Sequence, residues 1–211
     1  MSDTDSFIDE VTEEIRRDRL YGYLRRYGWI AIVAVLSVVG GAAWNEYRKA
    51  TETAAAQALG DALLATDSPA ALAQVSSADP EAQALVDFVR AAALAEDGER
   101  ADAAALLREV STRDGIAQVY RDLAGFKALI LEAPDLAPET RIAQLERYAQ
   151  PGGPFRGLAL EQQALAQIEA GDRVAAAETL RRVMEDAATT PGLRQRASQM
   201  MVALGEDPAG L

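Results

Sequence analysis

The sequence predicts an all-α protein with one membrane-spanning helix near its N-terminus, followed by a solenoid of about three helical hairpins and a capping helix. Three observations lead to this fold class. Ala supplies 44 of the 211 residues, which favours helix over sheet. Residues 27–45 form an uncharged apolar stretch. A 16-residue segment, residues 95–110, recurs 73 positions later at residues 168–183.

The composition excludes several kinds of chemistry. With no Cys and no His, the chain has no disulfide, no thiol nucleophile, no Ser-His-Asp arrangement and no HExxH zinc site. No glycine-rich phosphate motif or GxSxG motif is present either. We therefore expect no enzyme activity, no cofactor and no metal. A net charge of −12 argues against nucleic acid as a partner.

The first segment, residues 1–26, is predicted to be a cytoplasmic amphipathic and basic segment. Phe7, Ile8, Val11 and Ile15 share one face of a helix. Five arginines lie close to the bilayer, where anionic lipids attract them. The segment is either a topology signal that lies on the surface or a docking site for a membrane partner.

Residues 27–45 are predicted to be a transmembrane helix. As a helix they rise roughly 28 Å, close to the thickness of the hydrocarbon core. Trp29 and Trp44 lie at opposite ends, as interfacial aromatic residues do. Ser37 and Gly41 form a small-xxx-small pair at which another helix could approach. A buried core helix and a cleaved signal peptide are the alternatives, the latter because small residues follow at positions 41–43.

The distribution of cations predicts the orientation. Five arginines precede the span, but only Arg48 and Lys49 stand within fifteen residues after it. By the positive-inside rule the N-terminus is cytoplasmic and the remainder lies across the membrane. In a bacterium this places the chain in the inner membrane as a single-pass protein, with its C-terminal domain in the periplasm.

Residues 46–79 are predicted to be connecting and N-capping helices, and residues 80–211 the repeat domain. The membrane helix should continue outward and place Ala55, Leu59, Leu63 and Leu64 against the folded part. The pairs Ser68-Pro69, Asp79-Pro80 and Thr190-Pro191 each predict the start of a helix, with an N-cap side chain and a Pro in the first turn.

The repeated segment predicts stacked helical hairpins. Within the repeated segment and just before it, small residues, turn glycines and large apolar residues recur 73 positions apart. The recurring pairs are Ala91 and Ala164, Gly98 and Gly171, Ala103 and Ala176, and Leu107 and Leu180. Turns at 113–115, 150–154 and 190–192 alternate with the glycine turns and with a weaker turn at 133–135. Candidate hairpins span residues 80–114, 115–152 and 153–190, and residues 191–204 follow as a terminal helix.

This pattern resembles the tetratricopeptide repeat, in which Gly ends the first helix and small and large apolar residues alternate in the second. The match is degenerate, since no Trp opens a repeat. The phrases DSFIDEVTEEIRRDRL and RRYGW, followed by one span and a short helical-repeat domain, resemble the ancillary subunit of the Sec translocon. That resemblance implies a non-catalytic accessory protein in contact with the membrane subunits of the translocon and with periplasmic chaperones or translocating polypeptides.

Two other functions stay open at this stage. The chain could be a membrane-anchored scaffold of another envelope complex, for cell division or outer-membrane assembly, or a signal-cleaved soluble repeat protein. In each case the predicted role is binding. Four basic residues of the repeat domain could bind acidic peptide ends: Arg121, Lys127, Arg141 and Arg156.

Overall fold

The computed structural model describes the backbone of residues 3–66 and 68–207, and side chains from residue 25 onward within those ranges except that of Ala31. This part of the chain contains helices and no strand, which confirms the all-α class. The helices are α1 (Asp3–Leu64), α2 (Pro69–Leu72), α3 (Pro80–Glu96), α4 (Arg100–Ser111), α5 (Gln118–Glu132), α6 (Pro138–Leu145), α7 (Arg156–Glu169), α8 (Arg173–Glu185) and α9 (Pro191–Leu204). A 3-10 turn, Ala133–Asp135, follows α5.

The chain divides into two units, Met1–Ala58 and Leu59–Leu211. The first unit consists of α1 up to Ala58. From Arg25 onward α1 is long and apolar enough to cross a membrane, with a mean hydropathy of 1.8 in its most apolar window and none of that window buried. Among the described residues it is the one helix of this kind. The amphipathic face expected within residues 1–26 depends on the side chains of residues 1–24, which lie outside the described part.

The second unit holds the remaining helices, and three of its helix starts confirm the predicted caps. The Ser68 hydroxyl accepts a hydrogen bond from the amide of Ala71 at 3.3 Å, and the Asp79 carboxylate accepts one from Ala82 at 2.8 Å. The Thr190 hydroxyl accepts a hydrogen bond from the Leu193 amide at 3.4 Å. In each helix a Pro follows the cap, where its missing amide hydrogen leaves no hydrogen bond unmade.

The two glycines of the repeated segment end their helices in the same geometry. Gly98 after α3 and Gly171 after α7 have φ angles of +88° and +83°, a region that residues with a Cβ rarely adopt. The amide of Glu99 donates to the carbonyl of Leu94 at 2.8 Å, and the amide of Asp172 donates to Gln167 at 2.9 Å. These bonds pair carbonyls that would otherwise be orphaned at the helix ends. The predicted turns therefore have a common physical cause.

The interior of the second unit consists of three apolar clusters. One is formed by α3, α4 and α5, and includes Leu94, Leu107 and Val110. Another is formed by α7, α8 and α9 around Leu160, Leu180 and Met201. The third joins them through side chains within and between α5, α6 and α7: Phe126, Leu129, Leu145, Tyr148 and Ala159. Ala fills many of the buried positions, so the helices approach closely.

The predicted apolar face at the end of α1 is correct only in part. Leu59 and Leu63 are half-buried, but Ala55 is exposed and the side chain of Leu64 is 89% exposed. Leu64 is the last residue of α1. Positions 59 and 63 are four residues apart and share one face of the helix, whereas position 64 is turned about 100° from position 63.

Candidate functional site

Several helices of the second unit carry large apolar side chains that face solvent. Five of these side chains lie on α3, α5 and α7, which open the three hairpins expected from the sequence: Leu85, Val89, Val119, Leu158 and Leu165. Val174 on α8, Val202 on α9 and Leu64 at the end of α1 are exposed as well. Single exposed apolar residues are ordinary, but Leu85 and Val89 are four residues apart and lie on the same face of α3. They are followed one turn later by the exposed Ala92.

A groove of about 170 Å³ lies between α3 and α5, with one residue of α4 contributing to its lining. Seven of its eight lining residues are apolar: Ala91, Ala92, Ala95, Leu107, Phe126, Ile130 and Leu131. The eighth is Lys127. A space of this size and character suits one or two apolar side chains of a binding partner.

The groove exists because small residues on α3 face large ones on α5. Ala91, Ala92 and Ala95 leave room that longer side chains would fill. On the opposite side, Phe126 packs edge-to-face on Tyr148 with ring centroids 5.4 Å apart, and parallel to Phe155 at 5.9 Å. These two contacts hold the Phe126 ring in place, since aromatic pairs favour such arrangements. The apolar wall on α5 is therefore preformed.

Of the four basic residues singled out in the sequence, three are held by the protein itself. Arg121 donates to the carbonyl of Ile116 at 2.6 Å, and Arg141 and Arg156 form ion pairs with Glu169 and Asp186. Lys127 is exposed, and within the described part of the chain it makes no hydrogen bond or ion pair. Lys127 is therefore the member of this set whose charge is available to a partner.

Two polar side chains next to groove-lining residues have shifted pKa values: Arg108, which follows Leu107 in the chain, and Tyr148, which packs on Phe126. Arg108 on α4 donates to both carboxylate oxygens of Glu132 at the end of α5, and this hydrogen bonding raises the pKa of the guanidinium. Burial raises the pKa of the Tyr148 hydroxyl, and the nearby Arg147 and Arg108 oppose the shift. Both shifts move the titration of these two groups further from pH 7.

A second cleft, of about 710 Å³, lies beside the Gly152-Gly153 loop and the starts of α7 and α9. Arg156 and Arg196 both line it. Arg156 is paired with Asp186, and Arg196 donates to both oxygens of the buried Glu161 at 2.6 and 2.9 Å. Since each guanidinium already has a carboxylate, this cleft is best explained as the ion-paired junction of α7, α8 and α9.

The repeat residues predicted from the sequence take equivalent places. The side chains at the paired positions are buried: Ala91, Ala103, Leu107, Ala164, Ala176 and Leu180. Gly98 and Gly171 form the matching turns described above. Of the span residues, Trp29 and Trp44 are 63% and 66% exposed on α1, and Ser37 and Gly41 are exposed as well.

Sequence reasoning identified Lys127 but not the groove beside it. The available signal was the set of alanines at positions 91, 92 and 95, which places three small side chains along one side of α3. Among the described residues no group of three or more acidic side chains is arranged to hold a metal ion. The lining of the groove offers apolar contact and one positive charge to a partner.

Compared with known proteins, the chain matches no family model, no curated protein and no solved structure.

Proposed function

We propose that this chain is a non-catalytic accessory protein of the Sec translocon, anchored in the bacterial inner membrane by α1, whose C-terminal unit binds periplasmic chaperones or emerging secreted chains. The observation that carries the binding role is the preformed apolar groove between α3 and α5, open to solvent and bordered by the unpaired Lys127. Grooves of this kind receive peptide side chains.

A tetratricopeptide-like arrangement of the C-terminal unit is part of the proposal. Helices that follow one another in α3–α5 and α6–α9 pack together, and so do helices two apart, α3 with α5 and α7 with α9. Equivalent ion pairs recur as well. Arg108 pairs with Glu132, and Arg181, 73 residues after Arg108, pairs with Glu206 at 2.9 Å. Glu132 is the last residue of α5, and Glu206 follows the end of α9. Each pair thus joins the second helix of a hairpin to the end of the next helix or just beyond it, and this recurrence supports stacked repeats.

The membrane location is supported by the length and apolar character of α1 from Arg25 onward. The cytoplasmic placement of the N-terminus follows from the excess of arginine before the span. The link to the translocon is supported by the resemblance of the N-terminal phrases and of the order of the segments. A net charge of −10 over residues 46–211, from 26 acidic and 16 basic residues, is compatible with an exported soluble domain.

Co-purification from native membranes in a mild detergent, after crosslinking, tests the translocon role. We expect adducts to the translocon channel subunits and to periplasmic folding factors. Abundant adducts to cell-division or outer-membrane assembly proteins, with none to the channel, would support the scaffold role instead. Extraction with sodium carbonate and N-terminal sequencing of the retained protein test the anchor. A soluble product that begins shortly after residue 43 would show a cleaved leader.

A further inference from the structure

We propose that the groove between α3 and α5 selects peptide segments in which an apolar side chain is accompanied by a carboxylate, and that Lys127 makes this selection. This inference rests on the proposed binding function and adds the chemistry of the ligand. The apolar side chain would occupy the groove, and the carboxylate would pair with the Lys127 ammonium at its border.

Lys127 is the one charged residue that lines the groove, and the other seven lining residues are apolar. Within the described part of the chain its ammonium has no carboxylate partner. Low-polarity walls strengthen the attraction between an ammonium and an incoming carboxylate relative to open water. A basic segment would meet repulsion at the same point, so the groove discriminates by charge sign.

The one charged residue of the groove lining has the opposite sign to the domain that carries it. Residues 46–211 have a net charge of −10, whereas the charged residue that lines the groove is a lysine. Two carboxylates of the neighbouring sequence are engaged elsewhere: Glu132 is bound to Arg108, and Asp122 to Gln118 and Arg147. The Lys127 ammonium is therefore left for a carboxylate from a partner.

The chain has 21 basic residues, of which only Lys49 and Lys127 are lysines. Lys127 is thus the one lysine after position 49. A lysine ammonium on a flexible stem reaches a carboxylate from several directions, whereas arginine prefers a fixed two-point geometry. A lysine at this place suits ligands that vary in sequence around a common carboxylate.

Leu85, Val89 and Ala92 form a stripe along α3 at spacings of four and three residues, and Ala92 also lines the groove. Over seven residues this stripe is about 10 Å long. A segment lying along it could place an apolar side chain in the groove and a second one against Val89, with its carboxylate near Lys127. The occupant is therefore a short amphipathic peptide segment rather than a single small molecule.

Matched peptides test the proposal on the full chain in detergent. The probes are triplets of fluorescent twelve-residue peptides with two leucines four residues apart, in which the neighbouring position is Glu, Gln or Lys. Fluorescence anisotropy should give tighter binding of the Glu peptides than of the Gln peptides by roughly 1.5- to fivefold, as expected for one exposed ion pair. The Lys peptides should bind most weakly.

Three variants connect the result to the groove. Lys127→Gln should bring the ratio of the Glu-peptide to the Gln-peptide affinity close to one, and Lys127→Arg should retain most of the preference for Glu. Ala92→Trp, at an exposed position, should fill the groove and weaken all three peptides. Arg173→Glu is the control for general electrostatics, because Arg173 is exposed on α8 and does not line the groove.

A covalent readout uses the scarcity of lysine. In a Lys49→Arg background, Lys127 supplies the one lysine amine of the chain. A carbodiimide should couple this amine to the carboxylate of a bound Glu peptide as an amide, and Lys127→Arg should abolish the product without abolishing binding.

The outcomes separate the two proposals. Binding of all three peptides with equal affinity, or an unchanged preference in Lys127→Gln, would overturn the selection by Lys127 and leave the binding groove intact. Absence of binding by every peptide would overturn the groove as a peptide site and with it this inference. A preference for Lys peptides would contradict the charge argument directly.

Discussion

At the residue scale, among the described glycines, Gly125 is the one at which an added Cβ would come nearest to another atom, the hydroxyl oxygen of Tyr148. Gly125 lies in α5, and a Cβ added there would overlap the Tyr148 hydroxyl oxygen, while the nearest ring carbon would lie 3.6 Å away. Tyr148 is only 6% exposed and packs on Phe126, so its ring has little room to move. Gly125 is thus required by a neighbouring side chain rather than by an unusual backbone conformation.

This contact predicts that the effect of Gly125→Ala on the free energy of unfolding depends on the Tyr148 hydroxyl and can change sign when Tyr148 is replaced by Phe. Gly125→Ala alone should lower the free energy of unfolding by about 1–3 kcal/mol, because the Tyr148 ring must shift in a packed interior. In a Tyr148→Phe background the obstructing oxygen is gone, and the same change should be neutral or stabilise by up to about 1 kcal/mol through helix propensity. Urea unfolding of the wild type, the two single variants and the double variant measures both effects. Equal effects of Gly125→Ala in both backgrounds would contradict the steric explanation.

Tyr148 also predicts a pH dependence of stability. Burial raises its pKa above the ordinary value of 10.0, so the folded protein holds this proton at a pH where the unfolded chain has lost it. The contribution is fully present below about pH 10 and is lost as the pH rises through the raised pKa of the folded state. The free energy of unfolding should therefore fall more steeply between about pH 9 and about pH 11 in the wild type than in Tyr148→Phe. Parallel pH profiles for the two proteins would show that the hydroxyl is not the cause.

At the scale of helices, the loss of stability on replacing a turn glycine can be measured. Gly98 has a φ of +88°, and a Cβ there would touch nothing within 4 Å, so the cost of Gly98→Ala comes from the backbone alone. We expect a loss of about 1 kcal/mol in the free energy of unfolding. Gly192→Ala is the matched control, since Gly192 lies in the first turn of α9 and a Cβ there also meets nothing. Its effect should be neutral or slightly stabilising. Similar losses for both changes would rule out the turn geometry as the reason.

A buried ion pair connects α3 to the loop after α4. Asp87 is 5% exposed, and its carboxylate lies 2.7 Å from Arg113 and accepts a hydrogen bond from Gln83 at 3.0 Å. Arg113→Met would leave this carboxylate buried without its cation and should destabilise by about 2–4 kcal/mol. Adding Asp87→Leu should restore much of the loss, because an apolar pair needs no counterion. Thermal unfolding of the single and double variants measures the coupling, and additive losses would argue against it.

The helix boundaries show which parts of the fold can be predicted from sequence. The sequence predicts the N-caps at Ser68, Asp79 and Thr190 because an N-cap is a local interaction with an amide three residues away. The sequence also predicts the turns at Gly98 and Gly171, because the backbone conformation at these positions excludes most other residue types. The helical class followed from the same local preferences.

The groove could not be predicted, because it depends on which residues of α3 and α5 face one another. Lys127 was visible as a cation, but its lack of a partner depends on where Glu132 and Asp122 are engaged. Likewise, the sequence does not predict that position 125 requires glycine, because that requirement comes from contact with Tyr148, 23 residues later. Tertiary contacts of this kind have no local sequence pattern.

At the scale of the whole molecule, the apolar residues serve two separate purposes. In the second unit, Ala and Leu are buried in three clusters. In α1, by contrast, the bulky apolar residues of 27–45 are exposed along the helix: Ile30, Ile32, Val33, Val35, Leu36, Val38 and Val39. Exposure of such a continuous apolar surface to water is costly, at roughly 25 cal/mol per Å². A bilayer would remove that cost, which is the physical basis of the proposed anchor.

A single charge placed within this surface tests the anchor. The seven aliphatic side chains favour insertion by roughly 2–4 kcal/mol, and one arginine at the centre opposes it by roughly 2.5–3.5 kcal/mol. Leu36→Arg should therefore sharply reduce the fraction of protein that stays in membranes after carbonate extraction. Leu64→Arg is the control, because Leu64 is also exposed on α1 but lies outside the uncharged stretch. Circular dichroism of both variants should show unchanged helix content. If Leu36→Arg is retained as fully as Leu64→Arg, the hydrophobic span is not what holds the protein in the membrane.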